Sequence, residues 1–109
     1  MNRKRKVIFS SLSYENLDEI HDYISENGYS ERAAKVVAKI LSKIEDIAQN
    51  PRFGTRVELL GIATSWRKCS VFSYLIFYRQ DGNTIRIGAI IHGMRDLDDI
   101  LQTFIDKDE

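Results

Sequence analysis

The sequence predicts an α+β fold in which a helical hairpin covers one face of a β-sheet. Three observations indicate this class. Apolar residues recur at helical spacing through two segments of the first half, short runs dense in β-branched and aromatic residues follow between Trp66 and Asp96, and an amphipathic stretch closes the chain. The 109 residues suffice for one compact core, so we expect a single domain over residues 1–109.

The first two elements are a short strand and a helix. The apolar run Lys6–Phe9 is typical of a strand. Ser10 or Ser11 can cap the helix that follows, because a serine oxygen accepts the free amide hydrogens of the first turn. Asn27-Gly28 ends this helix. Its buried stripe is expected to be Ser13, Leu17, Ile20 and Ile24.

A second helix begins at Ser30 and stops at Asn50-Pro51, because proline cannot continue a helix. With only Gly28 and Tyr29 between them, the two helices must fold back as an antiparallel hairpin. The expected apolar stripe of the second helix is Ala33, Ala34, Val37, Ile40, Leu41, Ile44 and Ile47.

The two helices differ in charge. The first carries five acidic residues and no lysine or arginine. The second carries four basic residues near one stripe, namely Arg32, Lys35, Lys39 and Lys43. This pattern fits either a solvated surface with some pairing between the helices or a docking edge for a partner.

The sheet is predicted from the second half of the chain. Turn residues divide it at Phe72-Ser73 and at Gln80–Asn83, where Asp81-Gly82 tolerates the positive φ of a tight primed turn. Tyr74–Arg79 should therefore pair antiparallel with Thr84–His92. The latter run is apolar almost throughout, which indicates a central strand covered on both faces.

Two further segments flank these strands. Residues 51–65 have glycines at 54 and 61 and no clear period, so we expect a connection that includes at most one irregular strand. After Gly93 breaks the last strand, Asp96 can cap a short final helix. Its apolar stripe, which packs on the sheet or docks elsewhere, is Leu97, Ile100, Leu101 and Phe104.

Composition excludes several classes of protein. No apolar run approaches the roughly 20 residues of a membrane helix. No apolar stretch of signal-peptide length follows the basic start Met1–Lys6, so we expect a cytoplasmic protein without membrane contact. The single Cys69 excludes an internal disulfide and suits a reducing compartment. One cysteine and two separated histidines leave no metal-ligand spacing, and we expect no metal and no cofactor.

The net charge of zero hides a segregation along the chain. Residues 51–95 contain seven basic and two acidic residues, whereas residues 96–109 contain one basic and six acidic residues. The predicted sheet is therefore the basic half of the molecule. It is either a site for an anionic partner, such as nucleic acid or an acidic peptide, or a solvated charged surface.

Four pieces of the sequence, in this order and spacing, resemble the RelE/ParE superfamily of toxins from bacterial type II toxin–antitoxin modules. They are FSSLSYENLDEIHDYI, NPRFG, SYLIFYR and IIHGMRDLDDIL, and together they span nearly the whole chain. The resemblance implies that the helical hairpin lies on a curved antiparallel sheet with a short C-terminal helix. It also implies a neighbouring antitoxin that wraps the toxin and holds it inactive.

The superfamily divides into two chemistries. RelE-like members cut messenger RNA on the ribosome, which needs a proton acceptor, a proton donor and cations for the developing phosphorane charge. At two positions where those enzymes carry an arginine and a tyrosine, this chain has Leu75 and Leu101. Only Lys68 and Arg95 stand where their basic residues would, and Trp66 replaces another lysine.

The ending HGMRDLDDIL is more similar to the ParE branch, whose members are thought to inhibit DNA gyrase by binding. We therefore expect a non-catalytic toxin of a plasmid-stabilisation module. Its partners would be a cognate antitoxin and gyrase, in a homodimer or a toxin–antitoxin heterotetramer. One alternative is a non-toxic relic that only binds its antitoxin. The other is a ribosome-dependent mRNA endonuclease, whose site would be Lys68, Arg79, His92 and Arg95, with His92 as the natural general base.

The residues expected to contact the target or the antitoxin are mostly basic: Arg67, Lys68, Arg79, Arg86, Arg95, Leu97 and Leu101. Arg95 is favoured most, since a guanidinium at a sheet edge can fork onto a carboxylate or phosphate, although it can also pair with the adjacent Asp96. Trp66 and Arg67 lie on alternate faces of their strand, so only one of them can point to the helices. Core positions are expected at Cys69, Tyr74, Phe77 and Tyr78.

Overall fold

The computed structural model describes residues 4–93 and 101–102. A 3₁₀ turn, Pro51–Phe53, joins the helices to the strands that follow. The elements, in chain order, are β1 Lys6–Phe9, α1 Ser11–Glu26, α2 Ser30–Gln49, β2 Thr55–Leu59, β3 Ile62–Val71, β4 Tyr74–Asp81 and β5 Thr84–His92. The α+β class is confirmed. Of the predicted final helix, Leu101 and Gln102 are helical, and the remaining residues, including Asp96 and Leu97, lie outside the described part.

We had expected an antiparallel sheet. The observed sheet is instead mixed. Its strand order is β1-β5-β4-β3-β2, and the last four strands form an antiparallel meander. β1 instead runs parallel to β5, with Val7 beside Ile85 and Phe9 beside Ile87. Parallel neighbours need a long crossover connection, which the helical hairpin and the rest of the meander supply here. β5 is therefore central, as its apolar sequence predicted.

The segment 51–65 is more regular than we expected, because it holds all of β2 and the first four residues of β3. The turn between these strands is Leu60-Gly61, with φ values of +54° and +80°. Two consecutive positive φ values are typical of a type I′ hairpin turn, which usually carries Asn or Gly at both positions. Because leucine occupies the first of these positions, the sequence lacks the residue types that usually mark such a turn.

The turn between β4 and β5 is one residue later than predicted. Asp81 and Thr84 form the last register pair, so the turn residues are Gly82, with φ +62°, and Asn83. The antiparallel pairing of the two predicted strands is confirmed, and β4 extends two residues further than expected. Gly88 is an extra residue in β5, because Phe77 and Tyr78 pair with Ala89 and Ile87.

The helices follow the predicted boundaries closely. The Ser10 hydroxyl accepts a hydrogen bond of 3.0 Å from the Ser13 amide and caps α1. Two residues of the expected α2 stripe, Ala34 and Leu41, are instead exposed. They lie about a quarter turn or more from the row that packs on the sheet. The buried residues of α2 are Ala33, Val36, Ile40, Ile44, Ile47 and Ala48.

Both faces of the sheet carry apolar clusters. The first lies under the helices and includes Ile20, Ile40, Cys69, Tyr78 and Ile90. The second lies on the opposite side, which we call the helix-free face because the α1–α2 hairpin does not lie on it. It comprises Val57, Trp66, Phe77, Ala89, Ile91 and the helical residue Leu101. Cys69, Phe77 and Tyr78 are buried, as expected, and Tyr74 is partly buried against the first cluster. No described helix is long and apolar enough to cross a membrane.

The positive φ of Leu60 in the β2–β3 turn should lower the stability of the protein. Replacing Leu60 by Asn should stabilise the protein by about 0.5–1 kcal/mol, since asparagine tolerates the left-handed conformation better than leucine does. Leu60 is 71% exposed, so the substitution forfeits little apolar burial. Ile62, which is 72% exposed on the adjacent strand without a positive φ, provides the control. Urea unfolding should show a higher midpoint for Leu60→Asn and no gain for Ile62→Asn. Equal effects of the two substitutions would show that the positive φ of Leu60 does not destabilise the protein.

Candidate functional site

The helix-free face carries two of the expected arginines side by side. Arg79 on β4 is the register partner of both Trp66 on β3 and Arg86 on β5, so the three side chains share one face of the sheet. The guanidinium carbon of Arg79 lies 5.4 Å from the centroid of the Trp66 ring, within the range of a cation–π contact. Arg86 donates a hydrogen bond from Nε to the Asp81 carboxylate at 3.3 Å. We call Arg79 and Arg86 the cationic row.

Lys68 belongs to the same face. It pairs across the strands with Thr55 on one side and Phe77 on the other, and Phe77 lies in the cluster of the helix-free face. Arg79 follows Phe77 by two residues on β4, so Lys68 and Arg79 are diagonal neighbours on one face. Three of the predicted basic residues are therefore gathered together.

Arg67 does not join them. Its register partner is Tyr78, which lies in the cluster under the helices, so its side chain leaves the strand on the opposite face from Trp66. One guanidinium nitrogen of Arg67 donates to the Gly54 carbonyl at 2.8 Å. The predicted group of Arg67, Arg79 and Arg86 is thus divided by the sheet, and Arg67 holds the start of β2.

His92 also lies on the helix side of the sheet. Its ring meets the Tyr74 ring edge-on with the centroids 5.5 Å apart. The two rings border a groove of about 550 Å³ between α1 and the ends of β4 and β5, which Glu19 and Tyr23 also line. The sheet therefore separates His92 from Lys68 and Arg79. The predicted ribonuclease residues do not converge within the described part of the chain, and Arg95 lies outside it.

Leu101 occupies a different environment from the contact surface that we expected. It is 4% exposed and packs on the helix-free face in the cluster that contains Trp66 and Phe77. Burial of this side chain against the sheet leaves it unable to contact a partner in this conformation. Leu97, the other apolar contact that we expected, lies outside the described residues.

A buried junction beneath α2 was not predicted from the sequence. The Tyr78 hydroxyl accepts a hydrogen bond of 2.8 Å from the Gly54 amide and donates one of 2.7 Å to the Pro51 carbonyl. Burial raises the pKa of Tyr78 to about 12. Burial also raises the pKa of the Cys69 thiol, although the nearby Lys43 ammonium opposes this change. The NPRFG motif was the available signal, but its separation of 24 residues from Tyr78 concealed the contact.

Charged groups elsewhere form few contacts. The described residues include no ion pair between the acidic α1 and the basic α2, so the expected pairing between the helices is missing there. Lys4 pairs with Glu45, which ties the segment before β1 to α2. The described residues also contain no group of three or more His, Cys, Asp or Glu side chains that could hold a metal ion.

Comparisons with known proteins agree on the type of fold. Residues 7–97 match the family described as the ParE toxin of the type II toxin–antitoxin system, parDE. The chain is similar to a structure of the chromosomal ParDE toxin–antitoxin system from P. aeruginosa, with 19% identity, a TM-score of 0.69, and coverage of 82% of this chain and 96% of that one. It is also similar to a chain of the RelBE2 toxin–antitoxin complex from Mycobacterium tuberculosis, with 16% identity, a TM-score of 0.60, and coverage of 84% and 97%. No curated protein sequence matches the chain.

Proposed function

Because the chain belongs to the ParE toxin family of type II toxin–antitoxin systems, we propose that it inhibits DNA gyrase by binding, without catalysing a reaction itself. A cognate antitoxin would neutralise it, since both similar structures come from toxin–antitoxin systems. The proposed site of action is the cytoplasm, where gyrase acts on DNA.

The observation that carries this proposal is the separation of the candidate base from the cations. RNA cleavage requires a proton acceptor and cationic groups around one phosphate. His92 lies on the helix side of the sheet, whereas Lys68 and Arg79 lie on the helix-free face. A binding function needs only a surface, and the cationic row, in which Arg79 lies over the buried Trp66 ring, offers charged groups for one.

We propose that the contact surface for gyrase is the border of the helix-free face, formed by Lys68, Arg79 and Arg86. Guanidinium groups suit this role because they bind carboxylate or phosphate groups with a defined geometry. Arg95 and Leu97 remain proposed contacts from the sequence. Arg67 is better explained by its hydrogen bond to Gly54 than by a partner.

The test is a gyrase supercoiling assay on a plasmid, with purified toxin that has been freed of antitoxin. A parallel assay measures messenger cleavage on translating ribosomes. We expect inhibited supercoiling and intact messenger. Cleaved messenger with unaffected gyrase would favour the RelE-like chemistry instead, and loss of both activities with antitoxin binding retained would identify a non-toxic relic.

Substitution of the cationic row tests the surface itself. The double variant Arg79→Gln/Arg86→Gln should raise the toxin concentration needed for half-inhibition of gyrase by at least about tenfold, because two charged contacts are removed. Arg32→Gln is the matched control, since Arg32 is exposed on α2 on the other side of the molecule. Thermal melting should verify that both variants are folded. Unchanged inhibition by the folded double variant would exclude the cationic row from the contact.

A further inference from the structure

One edge of the sheet contains a basic notch that shares Lys68, but not Lys43, with the proposed contact surface for gyrase. β2 begins at Thr55, whose register partner is Lys68, so no described strand lies beside the last three residues of β3 on that side. A cavity of about 320 Å³ opens at this point. We call it the edge notch, and the residues relevant to its chemistry are Lys43, Phe53, Lys68, Cys69, Ser70 and Leu75.

Two ammonium groups border the edge notch. Lys43 reaches it from α2, where its Nζ lies 4.7 Å from the centroid of the Phe53 ring. Lys68 reaches it from β3. Neither lysine forms an ion pair with a carboxylate of residues 4–93, and the lining contains no carboxylate. Two like charges at one cavity repel each other, so an anionic group placed between them would be stabilised by both.

The backbone at the edge notch can also pair with another chain. The two-residue turn Phe72-Ser73 closes on the register pair of Val71 with Tyr74, which exchanges both backbone hydrogen bonds in such a hairpin. Backbone groups alternate along a strand, so the N–H and C=O of Ser70 point away from β4. The backbone groups of Lys68, two residues earlier, should point to the same side as those of Ser70. The position of the Lys68 carbonyl oxygen agrees with this, because it would lie 2.5 Å from a Cβ added at Gly54.

We propose that the edge notch binds an extended acidic peptide segment. Its backbone would pair with Ser70 as an added strand, and a glutamate or aspartate side chain would lie between Lys43 and Lys68. The mixed lining supports a peptide, since Phe53, Cys69 and Leu75 can pack against the apolar side chains that flank the acidic one. The two lysines of this small cavity can bind one carboxylate group. Nucleic acid binding depends on a longer series of phosphate contacts, so a peptide is the better fit.

A labelled synthetic peptide of alternating valine and glutamate tests this proposal by fluorescence anisotropy. We expect it to bind, and we expect Lys43→Gln to weaken its affinity by about fivefold, the effect of losing one partly exposed charge pair. Lys39→Gln is the matched control, because Lys39 is exposed one turn earlier on α2 and does not line the notch. This variant should bind the peptide like the wild type.

A second probe tests the backbone pairing without changing the protein. The same peptide, N-methylated at its central residue, lacks a donor for strand addition and should bind more weakly than the parent. The proposal is refuted if the acidic peptide does not bind at about 1 mM, the weak end of specific recognition. It is equally refuted if a valine–lysine peptide binds as well, if Lys43→Gln or N-methylation has no effect, or if a single-stranded oligonucleotide of equal charge competes as effectively as the peptide.

Discussion

Replacing Gly54 by Ala is expected to destabilise the protein by about 3 kcal/mol or more, because the added methyl group has no room. A Cβ at residue 54 would lie 2.5 Å from the Lys68 carbonyl oxygen and 2.7 Å from the Tyr78 hydroxyl. The first of these atoms is backbone held in the β3 ladder, so it cannot rotate away. If the segment around residue 54 moved away from β3 to make room, the hydrogen bond between the Gly54 amide and the Tyr78 hydroxyl would also be strained.

The cause of this effect is steric and not conformational. Gly54 has φ −82°, a value that any residue adopts, so alanine itself would not be strained there. Gly28 provides the contrasting control, since its φ is +87° and a Cβ would meet no atom within 4 Å. Gly28→Ala should cost about 1 kcal/mol through backbone strain alone. Urea unfolding of both variants measures the difference, and equal costs would show that the close approach at Gly54 is relieved easily.

Replacing Tyr78 by Phe is expected to destabilise the protein by about 2–4 kcal/mol. The substitution keeps the ring but removes a hydroxyl that makes two hydrogen bonds, one with the Gly54 amide and one with the Pro51 carbonyl. Each of these backbone groups would remain in the interior without its partner, at a cost of about 1–3 kcal/mol. Tyr74→Phe is the matched control, because Tyr74 is only partly buried and its ring contact with His92 persists without the hydroxyl.

The same substitution has a distinct pH dependence. Tyr78 has a pKa of about 12 in the folded protein, against an ordinary value of 10, because burial disfavours the phenolate. The unfolded chain therefore releases this proton first as the pH rises, so the stabilisation from neutral Tyr78 is complete below pH 10 and is lost progressively between pH 10 and about 12. The difference in unfolding free energy between the wild type and Tyr78→Phe should shrink over that range. A difference that stays constant from pH 9 to pH 11.5 would contradict the raised pKa.

Much of the fold was predictable because its signals are local. The Ser10 cap acts on an amide three residues away, and the α1 stripe repeats every three or four residues. The antiparallel pairing of β4 with β5 followed from a turn of two residues. The β2–β3 hairpin was missed for the same local reason, since Leu60 replaces the residue types that normally mark its turn.

The candidate site was predictable only in part. The sequence indicated a basic sheet, and the structure places Arg79 beside Arg86 on the helix-free face. It could not indicate that Arg67 and His92 leave the sheet on the other side, because that depends on which face of each strand meets the helices. Leu101 was expected at a contact surface, yet an amphipathic stripe does not specify whether it packs on its own sheet or on a partner.

The sequence by itself determined the two helices of the hairpin, the pairing of β4 with β5 and the segregation of charge, since each depends on residues close together in the chain. Only the tertiary structure decided the parallel pairing of β1 with β5, the separation of His92 from the cationic row, and the junction of Gly54 with Tyr78. The first and the last of these features bring together segments that are 24 or more residues apart. Their geometry arises from sheet register and from packing on two opposite faces, which no local pattern of residues encodes.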